Sequence, residues 1–335
     1  MKKIISAVVI LCVVAICTSA YAGETNYKIK RLASQLYEKK DRVDAQRALI
    51  SCGAEAVPYV LPLLDDKRNA SVRVAALRVI GASGDQSVES QVDAMLTDRD
   101  SRVRREAARV LSELGTKKSI EPLKGLLLDY DPEVRFNAVR ALAKTASKGD
   151  IKVFIGVLKD NDSRVRRYAV AALGKIKSAE AVQYIAPLAH DVDSSVRSEV
   201  VKALGNIGTT ECLQPLGAMT ADPELGIRVA AVKNIGAIKS PSADEYLVKA
   251  ADNVSPRVAS CAILELGERH SPKALKTAKK HIDDEHIAVK LASIEVLGEV
   301  GGQKEKALLE PLKKTESTKV RKKAEQALQA IGSRK

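Results

Sequence analysis

The chain has 335 residues, 45% of them hydrophobic and 29% charged, with 55 Lys+Arg against 42 Asp+Glu and a formal net charge of +13. That apolar fraction excludes a wholly disordered chain, and the length suits two or three ordinary domains or one repeat array. Tryptophan is absent and there are only 2 Phe and 8 Tyr, so Ala, Val, Leu and Ile must do the packing, which favours small, closely spaced helices.

Lys2 and Lys3 open the chain, an uncharged apolar run spans Ile4–Cys17, and Ala20 and Ala22 form a small-x-small cleavage signal. This is the three-part layout of a secretory signal peptide over residues 1–22. The run is short for a spanning helix, which needs about 20 residues, and no later segment is apolar enough to cross a membrane. Ile16 stands where a lipobox before Cys17 needs a small residue. The sequence therefore predicts export by a Sec-type route, to the periplasm first and the extracellular space as the alternative. Cys52, Cys212 and Cys261 remain after cleavage at wide spacing with no CxxC, and read as small core residues rather than ligands.

From residue 67 onward one theme recurs, a Val-Arg step ahead of an Ala/Val-rich stretch. Its first positions are Val72, Val103, Val134, Val165, Val196, Ile227, Val258, Val289 and Val320, every step being 31 residues. A weaker copy precedes them at Val43. Nine copies without insertion or deletion decide the architecture. Four residues on stands a small column, Ala76 to Ala324, and eight on a column of Ile or Leu, Ile80 to Leu328. Offsets 0, 4 and 8 share one helix face, which defines a helix B. Gly174, Gly205, Gly236, Gly267 and Gly298 follow the leucine column and read as the start of the helix end. Asn69, Asp100, Asp131, Asp162, Asp193, Glu224, Ser255, His286 and Ser317 precede the valine by three and read as N-caps. A second cap column, Asp85, Thr116, Ser147, Ser178, Thr209, Ser240 and Ser271, opens a helix A. Each unit is then two antiparallel helices that must stack to bury their apolar faces. Ten pairs are expected, from about Tyr27 to about Ile331, with residues 23–66 as N-terminal capping repeats and 67–335 as the solenoid, a curved rod about 90 Å long at the usual interhelical spacing.

The copies Asp160-Asn161-Asp162-Ser163-Arg164-Val165-Arg166 and Leu173-Gly174-Lys175-Ile176 resemble the short HEAT-like repeat, the type found in phycobilisome lyases. The resemblance covers about residues 27–332. It implies an all-α, α-α superhelix (an armadillo-like helical solenoid) whose B helices line the concave surface. It implies little chemistry, since such arrays mostly serve as binding scaffolds. It also implies that acid and base columns in step form a structural ladder between consecutive units: Asp98, Arg104, Asp129, Arg135, Asp160, Arg166, Asp191, Arg197, Asp222 and Arg228. The column breaks at Asn253 and Ala259, which predicts a looser joint there.

Six residues after the valine stand Arg78, Arg109, Arg140, Ala171, Lys202 and Lys233, in the middle of the polar face of helix B. Arg105 and Arg167 at offset 2, and Lys144 and Lys175 at offset 10, share that face, whereas Leu264, Glu295, Glu268 and Glu299 end the positive run further on. A solvated helix face explains single charges; one sign aligned over several units focuses a positive potential along a groove. Phe136 and Tyr168 are expected on the exposed side beside Arg140 and Arg167, an aromatic-plus-arginine composition that suits a contact site. The candidate partner-binding set is thus Arg78, Arg105, Arg109, Phe136, Arg140, Lys144, Arg167, Tyr168, Lys202 and Lys233.

Catalytic residues, metal ligands and cofactors are not expected. His190, His270, His281 and His286 form no HExxH or His-Glu pair, and there is no GxSxG, P-loop or GxGxxG. Export and scarce aromatics for base stacking argue against nucleic acid. The sequence therefore predicts a non-enzymatic exported scaffold presenting a basic concave groove to a protein with an acidic segment. The alternatives are a HEAT-like lyase or hydroxylase, alone or as a subunit, and a binder of polyanions (glycan, lipid or nucleic acid). Oligomeric state is not legible.

Overall fold

The computed structural model describes residues 24–114 and 119–334; the signal segment expected at 1–22 and the cap expected at Thr116 lie outside the described residues. Among the described residues all regular structure is helical, in ten helix pairs. The second helices of the pairs are α1 (Arg42–Ser51), α2 (Ala70–Ser83), α3 (Ser101–Leu114), α4 (Pro132–Thr145), α5 (Ser163–Ile176), α6 (Ser194–Ile207), α7 (Leu225–Ala237), α8 (Pro256–Glu268), α9 (Ile287–Val300) and α10 (Thr318–Ser333). The chain divides into two compact units, one ending at Thr145 and one beginning at Ala146. Unit 1 holds four pairs and unit 2 holds six. No helix among the described residues is long and apolar enough to cross a membrane.

The B helices form where the period places them. Val72, Val103, Val134, Val165, Val196 and Val258 have no exposed surface, nor do Ala76, Ala107, Ala138, Ala169 and Ala262. Leu173, Leu204, Ile235, Leu266 and Leu297 complete the same face and are fully buried. Each such aliphatic side chain contributes about 1.5–3 kcal/mol on burial. Leu328, in the last helix, stays partly exposed.

The glycines after the leucine column do not end the helix. Gly174, Gly236, Gly267 and Gly298 are buried inside α5, α7, α8 and α9, and their missing side chains let the next B helix approach. A Cβ on Gly174 would lie 2.6 Å from the Cα of Ala203, and one on Gly298 would lie 2.8 Å from the Cα of Ala327. The contacted residues stand at the seventh position after the valine of the next repeat, so the glycine column is a packing column.

Capping follows the short acceptors. Asn69, Asp162, Asp193 and Ser317 accept backbone N–H groups at their helix starts, as do Asp100 and Asp131 through Arg102 N and Glu133 N, each 2.9 Å. Glu224, Ser255 and His286 make no side-chain cap; the His286 ring turns instead to Asp284 at 3.2 Å. In the second column Asp85, Ser240 and Ser271 accept amides, while Ser178 and Thr209 do not. After the first pair, whose leading helix spans 24–35, the A helices are shorter than the B helices, and most adjoin 3₁₀ turns. Three of those turns carry a proline at their second position, Pro62, Pro187 and Pro311, which cannot donate the amide hydrogen bond of a continuing α-helix.

Candidate functional site

The ladder residues hold repeats together within each unit. Asp98 accepts from the Arg73 guanidinium at 2.7 Å, and Asp129 takes both Nε and Nη2 of Arg104 at 2.6 and 2.8 Å. In unit 2 the equivalent bidentate pair is Arg166–Asp191, with both bonds at 2.7 Å, and Arg197 reaches Asp222 at 2.7 Å. Each arginine also ties its own loop: Arg104, Arg135, Arg166, Arg197 and Arg228 donate Nη1 to the carbonyls of Asp98, Asp129, Asp160, Asp191 and Asp222. Burial acts to raise the Asp129 and Asp191 carboxyls, but the arginine hydrogen bonds prevail and both lie below the usual carboxylate range. A cleft opens beside Arg73 and Asp98 in unit 1, and another beside Arg197 and Asp222 in unit 2.

At the break in the ladder the joint is tied by other groups, not left loose. Asn253 donates to the Thr220 carbonyl at 3.1 Å. Arg269 reaches Asp244 at 3.1 Å and the carbonyls of Ile238 and Ser240 at 2.7 and 2.8 Å. The Ser271 hydroxyl donates to the second Asp244 oxygen at 2.5 Å. The ion pair has moved from the start of helix B to its end.

The basic face of unit 1 is built by α2, α3 and α4. Arg78 on α2 donates Nε to Glu106 of α3 at 3.3 Å. Glu106 also receives Arg109, one turn further along α3, at 2.6 Å, and Arg109 reaches Glu113 at 2.6 Å. Arg105 contacts Asp131 at 2.9 Å, the same aspartate that caps α4. The Arg140 guanidinium lies 5.6 Å from the Phe136 ring centroid, a cation–π distance. Lys144 donates to the Ser112 carbonyl at the end of α3, where a cation also suits the helix dipole. The stripe expected to be open and positive is therefore partly neutralised by Glu106, Glu113 and Asp131. Phe136, expected to be exposed, is half-buried, because the guanidinium covers its ring.

In unit 2 the corresponding residues are sparser. Arg167 lies over its neighbour Tyr168 at 5.4 Å, and Tyr168 is half-buried rather than exposed. Lys202 contacts Glu199 at 3.4 Å and is mostly exposed. Lys233 is exposed near Cys261 and Glu265. Burial pushes the Cys261 thiol up, and burial followed by the Glu268 charge pushes the Glu265 carboxyl up, with Lys233 acting in the opposite direction on both. His281 contacts Asp252 at 3.0 Å, and no group of three or more metal-ligating side chains is found among the described residues.

Sequence reasoning missed Glu106 as the hub of the unit 1 face. Its spacing to Arg109 is a visible i,i+3 pair, but its contact with Arg78 spans 28 residues and needs the stacking of the repeats.

HEAT repeats match the chain over residues 57–131, 126–196, 185–260 and 245–329. The chain belongs to the HEAT-repeat family. No curated protein sequence matches this HEAT-repeat protein. Among solved structures, the crystal structure of an engineered protein shares 21% identity, covering 91% of this chain and 99% of that chain with a TM-score of 0.55. The complex of CpcE and CpcF of phycocyanin lyase from Nostoc sp. PCC7120 shares 22% identity, covering 67% of this chain and 92% of that chain with a TM-score of 0.41. The expected exclusion of catalysis does not stand. A lyase complex stands among the similar structures, and HEAT repeats alone decide neither for nor against activity. The likeness assigns no reaction to this HEAT-repeat protein.

Proposed function

We propose that this HEAT-repeat protein is an exported protein-binding scaffold whose unit 1 holds an acidic segment of a partner on the basic face of α2, α3 and α4. The observation that carries the reading is the convergence of Arg78, Arg105, Arg109 and Arg140 from three successive helices onto one face. The first three are fixed by carboxylates and the fourth is stacked on Phe136. Fixed guanidiniums lose little side-chain entropy when they bind, and their planar forks match carboxylates. In unit 2, Arg167, Tyr168, Lys202 and Lys233 offer a second, looser basic surface. Export rests on the composition of residues 1–22, with the periplasm as the expected destination.

The reading is tested by capturing partners from a cell-envelope extract with the native chain and with an Arg105→Glu/Arg109→Glu variant whose helicity is checked by circular dichroism. The expected result is a partner with an acidic segment that is recovered by the native chain, released by salt and lost from the variant. Recovery of the same partner by both proteins contradicts the placement of the site. Binding that tracks net charge alone, with no protein specificity, favours a polyanion instead. Sequencing the N-terminus of the protein recovered from that fraction tests export, with a start near Gly23 expected.

A further inference from the structure

We infer that Glu106 is a positioning residue for partner recognition: its buried carboxylate locks Arg78 and Arg109 into one clamp, so that this acid strengthens the binding of an acidic ligand. The inference rests on the proposed function of the unit 1 face. Glu106 is 6% exposed although charged, and it projects from the same face of α3 as the arginines. One of its oxygens, Oε1, takes Arg109 at 2.6 Å, and the other, Oε2, takes Arg78 from the preceding helix at 3.3 Å.

Two guanidiniums share one carboxylate, and Glu113 on Arg109 balances the remaining charge. The two guanidiniums are also held at a fixed separation, across a joint between repeats that would otherwise leave two long side chains free. A lone arginine loses rotamer freedom when it binds; a clamped one has lost it already. Arg78 engages the clamp through Nε and its side chain is 48% exposed, which leaves the two terminal nitrogens of its fork as donors for a second carboxylate. Glu113 is the contrast on the same helix. It touches Arg109 at 2.6 Å but is 46% exposed and reaches no arginine of another helix among the described residues, so it contributes charge without bridging repeats.

Simple electrostatics and the clamp predict opposite signs. Removing a negative charge from a basic face strengthens the binding of an acidic ligand if only charge matters; removing the hub weakens it if position matters. The probe is a fluorescein-labelled octaglutamate peptide titrated into the full chain by anisotropy. Glu106→Gln is expected to weaken binding about tenfold, whereas Glu113→Gln, which removes the same charge two turns further on, leaves affinity unchanged or raises it. Arg78→Lys, which keeps the charge but not the fork, is expected to weaken binding several-fold. It keeps the test decisive if Glu106→Gln fails to fold by circular dichroism. Equal strengthening by Glu106→Gln and Glu113→Gln, or full affinity in Arg78→Lys, overturns the clamp while leaving the basic-face reading standing. No binding of the probe by the native chain overturns both.

Discussion

At Gly174 the absent side chain serves packing, not backbone conformation. The position is helical and buried, and an added Cβ meets the backbone of Ala203 at 2.6 Å. Backbone cannot swing aside as a lysine tip does, so Gly174→Ala is expected to destabilise unit 2 by about 1–3 kcal/mol despite alanine's better helix propensity. Thermal unfolding measures this; a raised melting temperature would mean that the helices separate freely. The same scale shows what the sequence conceals. The valine, alanine and leucine columns were legible because burial follows helical period. The role of the glycine column was not, because the residue it contacts lies in the next repeat, about one period away. The same cause hid the Arg78–Glu106 contact, while the i,i+3 spacing of Glu106 and Arg109 stood open to inspection.

At the scale of the element, helix starts carry much of the charge chemistry. Asp193 at the start of α6 accepts hydrogen bonds from the hydroxyls of Ser163 and Ser195 and the amide of Ser195, and these hold its carboxyl down at about 2 against an ordinary 3.8. The folded state therefore gains stability from this group above about pH 4, and that gain is lost as the pH falls toward 2. Asp193→Asn keeps a good cap but has no charge to titrate. The two proteins should differ in melting temperature at pH 5, and the difference should have narrowed markedly by pH 2.5; a gap constant across that range contradicts the assignment. Asp100 is held down to about 2 as well, chiefly by its Arg102 hydrogen bond, so acid unfolding should begin at the helix starts. Caps were legible where the acceptor is short, as at Asp162. They failed at Glu224, where the side chain is longer, and at His286, where a carboxylate competes; nothing in the structure explains the missing cap at Ser255. The A helices were legible as elements but not in their 3₁₀ breaks, which only partly follow the prolines.

At the scale of the whole molecule, the fold was nearly all written in one period. A 31-residue step fixes helix pairs, and helix pairs with one apolar face must stack. Function is less legible, because the basic columns that suggested an open stripe turn out to be a network in which Glu106, Glu113 and Asp131 engage three of the arginines in unit 1. Sequence counts charges; only stacking shows which of them are already paired. The net excess is not confined to that face either, since Lys319 and Lys322 are exposed on α10. The central claim is therefore about place, not about total charge. The measurement that tests it most directly is the affinity of the labelled octaglutamate peptide across a salt series for the native chain, for Arg105→Glu/Arg109→Glu and for Lys319→Glu/Lys322→Glu, which removes the same charge elsewhere. The account predicts at least a roughly tenfold loss and a shallower salt dependence for the first variant, with the second within about twofold of native. Equal losses in both variants, or none in the first, would contradict it.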